Sequence, residues 1–151
     1  MNKPSVEITI PVYNEEKDLE KNITTLHDFC HKNLKAYDWH ITIADNASSD
    51  NTPVIASTLT KNPRIIYFRL EQKGRGRAVK RVWSLSKSDI CVYMDLDLST
   101  DLIHLPKIIR ALENGFDVAI GSRLAKGARV EGRTMLRELT SRALNLFFIR
   151  F

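Results

Sequence analysis

Long apolar runs are missing from this sequence. No stretch approaches the ~20 apolar residues that a membrane-crossing helix needs. The N-terminal MNKPSVEITIP has no apolar core of the kind a signal peptide carries, so the chain is expected to begin in the cytoplasm. Cysteine is scarce: Cys30 and Cys91 are the two thiols in 151 residues. Two thiols make no disulfide framework, and a reducing compartment follows. Cys91, inside ICVYM, reads as a small core residue. Charge of one sign is absent from most of the chain, since residues 1–120 hold 16 Lys/Arg against 16 Asp/Glu. Internal repeats, low-complexity segments and linkers are absent too. What is present is enough apolar residue, 43 %, to build a core and to exclude a disordered chain. The length suits one domain or most of one.

The whole net charge of +5 sits in the last fifth of the chain, where seven Arg/Lys stand against Glu131 and Glu138. A local excess of one sign points to an anionic partner: phosphate, anionic lipid or nucleic acid. A solvated helix face is the plain alternative. Over 133–151 (RTMLRELTSRALNLFFIRF), Arg133, Arg137, Ser141 and Asn145 recur every four residues and form one polar stripe on a helix. Leu136, Leu139, Ala143, Leu144, Phe147 and Phe148 supply apolar surface on its other sides. That surface is barely covered where the chain stops at Phe151, so a continuing chain is expected.

Short apolar runs alternate with helical patterns. The expected strands are 6–10 (VEITI), 40–44 (HITIA), 64–68 (RIIYF), 89–95 (DICVYMD, apolar enough for burial on both faces) and 117–121 (DVAIG). Helices are expected over about 16–31, after a cap at Asp50 or Asn51 with Pro53 in the first turn, from beyond Gly74 and Gly76 to about Leu85, and over 102–114. This alternation predicts an α/β sandwich around a mainly parallel sheet. Right-handed crossovers then gather the strand C-termini on one edge, where ligands bind. Asn14, Glu15, Asp45, Asp95 and Asp97 all fall at that edge.

In MDLDLSTD (94–101), two carboxylates alternate with apolar residues at a strand end. On an extended chain, residues i and i+2 share a face, but whether both carboxylates serve one site depends on how the chain turns between them. Like charges that close repel, and a divalent cation relieves them. Oxygen ligands favour Mg²⁺ or Mn²⁺, with phosphate oxygens completing the shell. A helix cap beside a surface carboxylate would look the same on these residues alone.

Together with TIPVYNEE (9–16), IADNASSDNT (43–52), KGRGRA (73–78) and IGSR (120–123), this motif resembles the family 2 glycosyltransferases of GT-A fold. The dolichyl- and polyprenyl-phosphate mannose and glucose synthases are the subgroup most resembled. The resemblance implies a GT-A, Rossmann-like α/β/α sandwich and a single catalytic domain over 1–151, truncated at its C-terminus. It implies a nucleotide pocket lined by Pro11, Tyr13 and Glu15, with Ile43 and Asp45 at base and ribose. Asp95, Leu96 and Asp97 match the metal and diphosphate motif. Ser99 stands where some relatives place a further metal ligand, although a hydroxyl is a weaker ligand than a carboxylate. Arg123 matches a phosphate-contacting arginine, and Arg137 with Ser141 matches the acceptor-phosphate pair. Arg77 or Lys80 would reach phosphate from the glycine loop. Asp95, Asp97, Arg123 and Arg137 are then the catalytic groups.

The implied reaction moves a hexose, mannose or glucose, from a GDP- or UDP-sugar to dolichyl or polyprenyl phosphate, with Mg²⁺ or Mn²⁺ as cofactor and inversion at the anomeric carbon. The enzyme would be peripheral on the cytoplasmic face of a membrane, with any anchoring segment or subunit outside this chain. A family 2 enzyme acting on a polysaccharide or glycolipid is one alternative, and a nucleotidyltransferase is another. A non-catalytic module for anionic lipid is a third. Nucleic acid is not expected, since the aromatic-interleaved basic face that stacks bases is absent. His27, Cys30 and His31 share one helix turn but lack the further ligand a zinc site needs.

Overall fold

The computed structural model describes residues 3–121. The chain divides between Ala119 and Ile120, and the fold below is that of the first unit. Its elements are β1 (Ser5–Val12), α1 (Leu19–Asn33), β2 (Asp38–Asn46), α2 (Thr52–Leu59), β3 (Ile65–Leu70), α3 (Arg75–Leu85), β4 (Ile90–Tyr93) and, after a 3₁₀ turn over Leu102–His104, α4 (Leu105–Glu113). The four strands form one sheet in the order β3-β2-β1-β4, and every pair is parallel. The expected parallel α/β layout is therefore formed, with all strand C-termini on one edge.

Alternation along β1 separates two faces. Val6, Ile8, Ile10 and Val12 join Ile41 and Ile43 of β2 in the main core, under α1, α2 and α4. In α1, Leu19, Ile23, Leu26 and Cys30 recur at three- and four-residue steps and are all fully buried. Each such aliphatic side chain contributes about 1.5–3 kcal/mol on burial. Glu7 and Thr9 turn to the other face, over which α3 packs. There Ala78 and Val82 meet Ala44 and Leu70, and the Trp83 indole N–H donates to Thr9 Oγ1 at 3.1 Å. None of the described helices is long and apolar enough to cross a membrane.

Two sequence expectations need correction. The strand expected over 117–121 is not formed: the segment joins no ladder among the described residues, and Val118 and Ile120 are 75 % and 81 % exposed. An apolar run becomes a strand only where a neighbouring backbone supplies hydrogen bonds. The strand at 89–95 is shorter, and it is not buried on both faces. Among the described strands β4 pairs only with β1, while α3 packs over β1 and β2 and leaves Tyr93 40 % exposed. At the cap of α2, Asp50 Oδ1 accepts from the Thr52 N–H at 2.9 Å, and Asn51 makes no side-chain cap bond.

Candidate donor site

Among the described residues, three non-glycine residues have positive φ: Asn14 (54°), Ala47 (61°) and Leu98 (50°). They follow β1, β2 and β4 respectively, so all three lie at the C-terminal edge of the sheet. Such backbone costs of order 1 kcal/mol per residue, and it clusters where a chain must be bent for a purpose.

The loops after β1 and β2 lock into each other. Asn14 N–H donates to Ser48 Oγ at 3.0 Å, and Ser49 N–H donates back to Asn14 Oδ1 at 2.9 Å. Glu15 N–H donates to Thr52 Oγ1 at 2.8 Å, and Asn51 N–H to Glu16 Oε2 at 2.9 Å. Side chains of one loop thus satisfy backbone groups of the other, which fixes where Glu15 stands. Burial, then the charges of Asp18, Asp50 and Asp97, raise the Glu15 carboxyl above its ordinary range, with Arg75 pulling the other way. Glu15, Asp97 and Arg75 therefore share one electrostatic neighbourhood, although they come from three separate segments.

β4 ends at Tyr93, and the chain turns over 95–98, where Leu98 N–H approaches the Asp95 carbonyl at 3.4 Å. Leu96 stays in the core at 5 % exposure while the acids on either side reach outward. Asp95 Oδ1 accepts from Tyr93 Oη at 2.8 Å and pairs with Arg75 Nη2 at 2.8 Å. Asp97 Oδ1 accepts from Ser99 N–H at 3.0 Å. The Tyr93 hydroxyl, raised by burial and by its bond to Asp95, also feels the charges of Arg75 and Asp97. Asp95 and Asp97 thus act on one neighbourhood across the turn.

Asp45 is fully buried and held from three sides. Ser48 N–H donates to Oδ1 at 2.9 Å, while Tyr67 Oη and Arg69 Nη1 meet Oδ2 at 2.8 and 2.9 Å. Ile43, beneath it, is fully buried in the core, and Pro11 is buried at the end of β1. Tyr13 is 38 % exposed, with the Lys73 ammonium 4.3 Å from its ring centroid and bonded to its hydroxyl.

Sequence reasoning passed over Tyr67, Arg69, Lys73, Arg75 and Tyr93. Arg77, which it offered with Lys80 for phosphate, folds onto its own loop and donates to Gln72 Oε1 at 2.7 Å. Arg75, two residues earlier on α3, pairs instead with Asp95. The first turn of a helix opening at the sheet edge was the available signal. Arg123, Arg137 and Ser141 lie outside the described residues.

The donor set is oxygen only and strongly acidic, which fits a hard divalent cation. Among the described residues no group of three acids, histidines or cysteines is arranged to hold a metal ion. His27 and His31 offer no rival centre: His27 meets Asp28 and Asn62 through its two ring nitrogens, and burial pushes the Cys30 thiol beside them up to about 12.

Comparison with known proteins gives a match between the glycosyl transferase family 2 model and residues 7–150. A dolichol-phosphate mannosyltransferase of Pyrococcus furiosus is 36 % identical over 138 residues, which is 91 % of this chain and 38 % of the relative. The glycosyltransferase AglD of Haloferax volcanii is 32 % identical over 93 % of this chain and 23 % of the relative. An undecaprenyl-phosphate 4-deoxy-4-formamido-L-arabinose transferase of Yersinia pestis is 28 % identical over 99 % of this chain and 45 % of the relative. The chain spans less than half the length of these curated relatives.

Proposed function

The chain belongs to glycosyl transferase family 2, and from that footing we propose that it carries the donor half of a polyprenyl-phosphate sugar transferase. The reaction moves a hexose, mannose or glucose, from a GDP- or UDP-sugar to dolichyl or another polyprenyl phosphate. The observation that carries this reading is the turn at Asp95 and Asp97, which stands with Glu15 at the C-terminal edge of a parallel sheet. Two of the relatives named above act, by their names, on dolichol or undecaprenyl phosphate.

Asp97 and Asp95 would hold Mg²⁺ or Mn²⁺ against the donor diphosphate. The cation, when bound, neutralises charge on the leaving nucleoside diphosphate. The protein's own contribution is position: the interlocked loops fix Glu15, and the turn over 95–98 carries both acids at the sheet edge. Tyr13 would line the nucleotide pocket, and Asp45, held by Tyr67 and Arg69, would stand with Ile43 at base and ribose. An acceptor phosphate is already anionic, so the displacement needs no general base from the described residues. Arg123, with Arg137 and Ser141, would serve the donor and acceptor phosphates in a domain peripheral on the cytoplasmic membrane face.

A panel of GDP- and UDP-sugars with polyprenyl phosphate and Mn²⁺ tests the reading, using the full-length protein. Transfer of one sugar to the lipid phosphate is expected, with release of the nucleoside diphosphate. Pyrophosphate release from a nucleoside triphosphate would instead indicate a nucleotidyltransferase.

A further inference from the structure

Arg75 opens α3 directly after Gly74, whose φ of +151° turns the chain into the helix. Its guanidinium reaches the same Asp95 oxygen that takes the Tyr93 hydroxyl, and its charge also bears on Glu15. It is nevertheless 61 % exposed, so the pair is not a buried structural bridge. Two residues earlier, Lys73 lies on Tyr13. One loop thus lays two cations on two residues of the proposed donor site. On a solvated face those side chains would gain little by settling there, because exposed ion pairs are weak.

A guanidinium and a divalent cation repel each other when they share one carboxylate. While the site is empty, the Arg75 guanidinium offsets the negative charge of Asp95 at 2.8 Å. Once a cation takes Asp95, that role ends. The planar fork of an arginine then matches the phosphate oxygens that the cation brings with it.

We propose that Arg75 is a further donor-site residue that exchanges partners: it holds Asp95 in the free protein and binds the donor diphosphate once a divalent cation occupies that carboxylate. This rests on the assignment of Asp95 and Asp97 as the cation and diphosphate site. The exchange makes the cation and the arginine competitors before the nucleotide arrives and allies after it.

Opposite signs in two titrations test this. Mn²⁺ binding is measured by electron paramagnetic resonance without nucleotide, and GDP and UDP binding by calorimetry at saturating Mn²⁺. Arg75→Met should bind Mn²⁺ alone roughly two- to fivefold tighter, the range of an exposed ion pair removed. The same variant should bind the nucleoside diphosphate about tenfold more weakly, as for a lost charge-assisted bond. A purely structural arginine would weaken both or move neither, and either result overturns the exchange. If nucleotide binding by the parent protein and by Asp95→Asn is equally indifferent to Mn²⁺, the assignment of the acids fails and the exchange falls with it. If the parent is Mn²⁺-dependent but Arg75→Met does not tighten Mn²⁺, the assignment stands and the exchange alone is wrong.

Discussion

Asp45 and Arg69 are register partners on β2 and β3, and their side chains close a 2.9 Å ion pair at the fully buried carboxylate. Tyr67 adds its hydroxyl to the same oxygen. A residue whose family resemblance implies ligand contact is thus also a structural anchor of the sheet edge. Asp45→Ala would leave the Ser48 N–H, the Tyr67 hydroxyl and the Arg69 guanidinium without their acceptor. It should destabilise the fold more than Tyr67→Phe, which removes one bond worth about 1 kcal/mol. Ile43→Ala, in the core just below, should cost about 2–5 kcal/mol. Urea denaturation of the three variants checks the ranking. Wild-type stability in Asp45→Ala would make Asp45 a ligand residue alone.

His40 Nε2 lies 2.7 Å from Glu7 Oε2, on the face of the sheet that α3 covers in part. The bond to Glu7 raises the His40 pKa from the ordinary 6.5, against the opposing effect of burial; Asp38 raises it further and Arg64 lowers it. A pKa raised by folding gives stability that is complete below the unfolded value and lost as pH rises through the folded one. The stability difference between the parent and His40→Gln should therefore shrink as pH is raised upward from 6.5. Denaturation midpoints of both proteins across that window measure it, and a difference that grows with pH would contradict the pairing.

Gly74 and Gly76 look alike in sequence and differ in structure. A Cβ on Gly74 would sit at φ +151° and 3.3 Å from Arg77 Cβ, whereas a Cβ on Gly76 meets nothing within 4 Å. Gly74→Ala should destabilise by about 1–2 kcal/mol. Gly76→Ala, in the first turn of α3, should stabilise by roughly 0.5–1 kcal/mol. If Gly76→Ala also weakens nucleoside diphosphate binding, the ligand approaches the backbone there. Equal thermal midpoints for the two variants would contradict the assigned geometry.

The first three strands and the gathering of their C-termini at one edge were legible because apolar runs alternate with amphipathic ones. Leu19, Ile23, Leu26 and Cys30 mark α1 without reference to anything else. The segment at 117–121 carried the same apolar signal and formed no strand among the described residues, because pairing depends on a neighbour that a local pattern does not contain. The acids Glu15, Asp45, Asp95 and Asp97 could be picked out because each stands at or just beyond the C-terminal end of a strand. Their partners could not: Tyr67 and Arg69 reach Asp45 only through the register of β3 on β2, and Arg75 reaches Asp95 only through the placement of α3. Motifs mark the carboxylates, but tertiary register decides which cations stand on them.

The most direct test of the central claim is Mn²⁺-dependent binding of GDP and UDP to the parent protein and to Asp97→Ala, followed by calorimetry. Asp97 is exposed and its carboxylate caps the Ser99 N–H, so the variant should keep its fold, as circular dichroism would verify. One of the two nucleotides should bind the parent more tightly when Mn²⁺ is present, and Asp97→Ala should lose that increment and, in the full-length enzyme, about 10²–10³ in transfer rate. A folded Asp97→Ala that binds nucleotide with undiminished Mn²⁺ dependence would contradict the assignment of the Asp95–Asp97 turn as the acidic half of a diphosphate site.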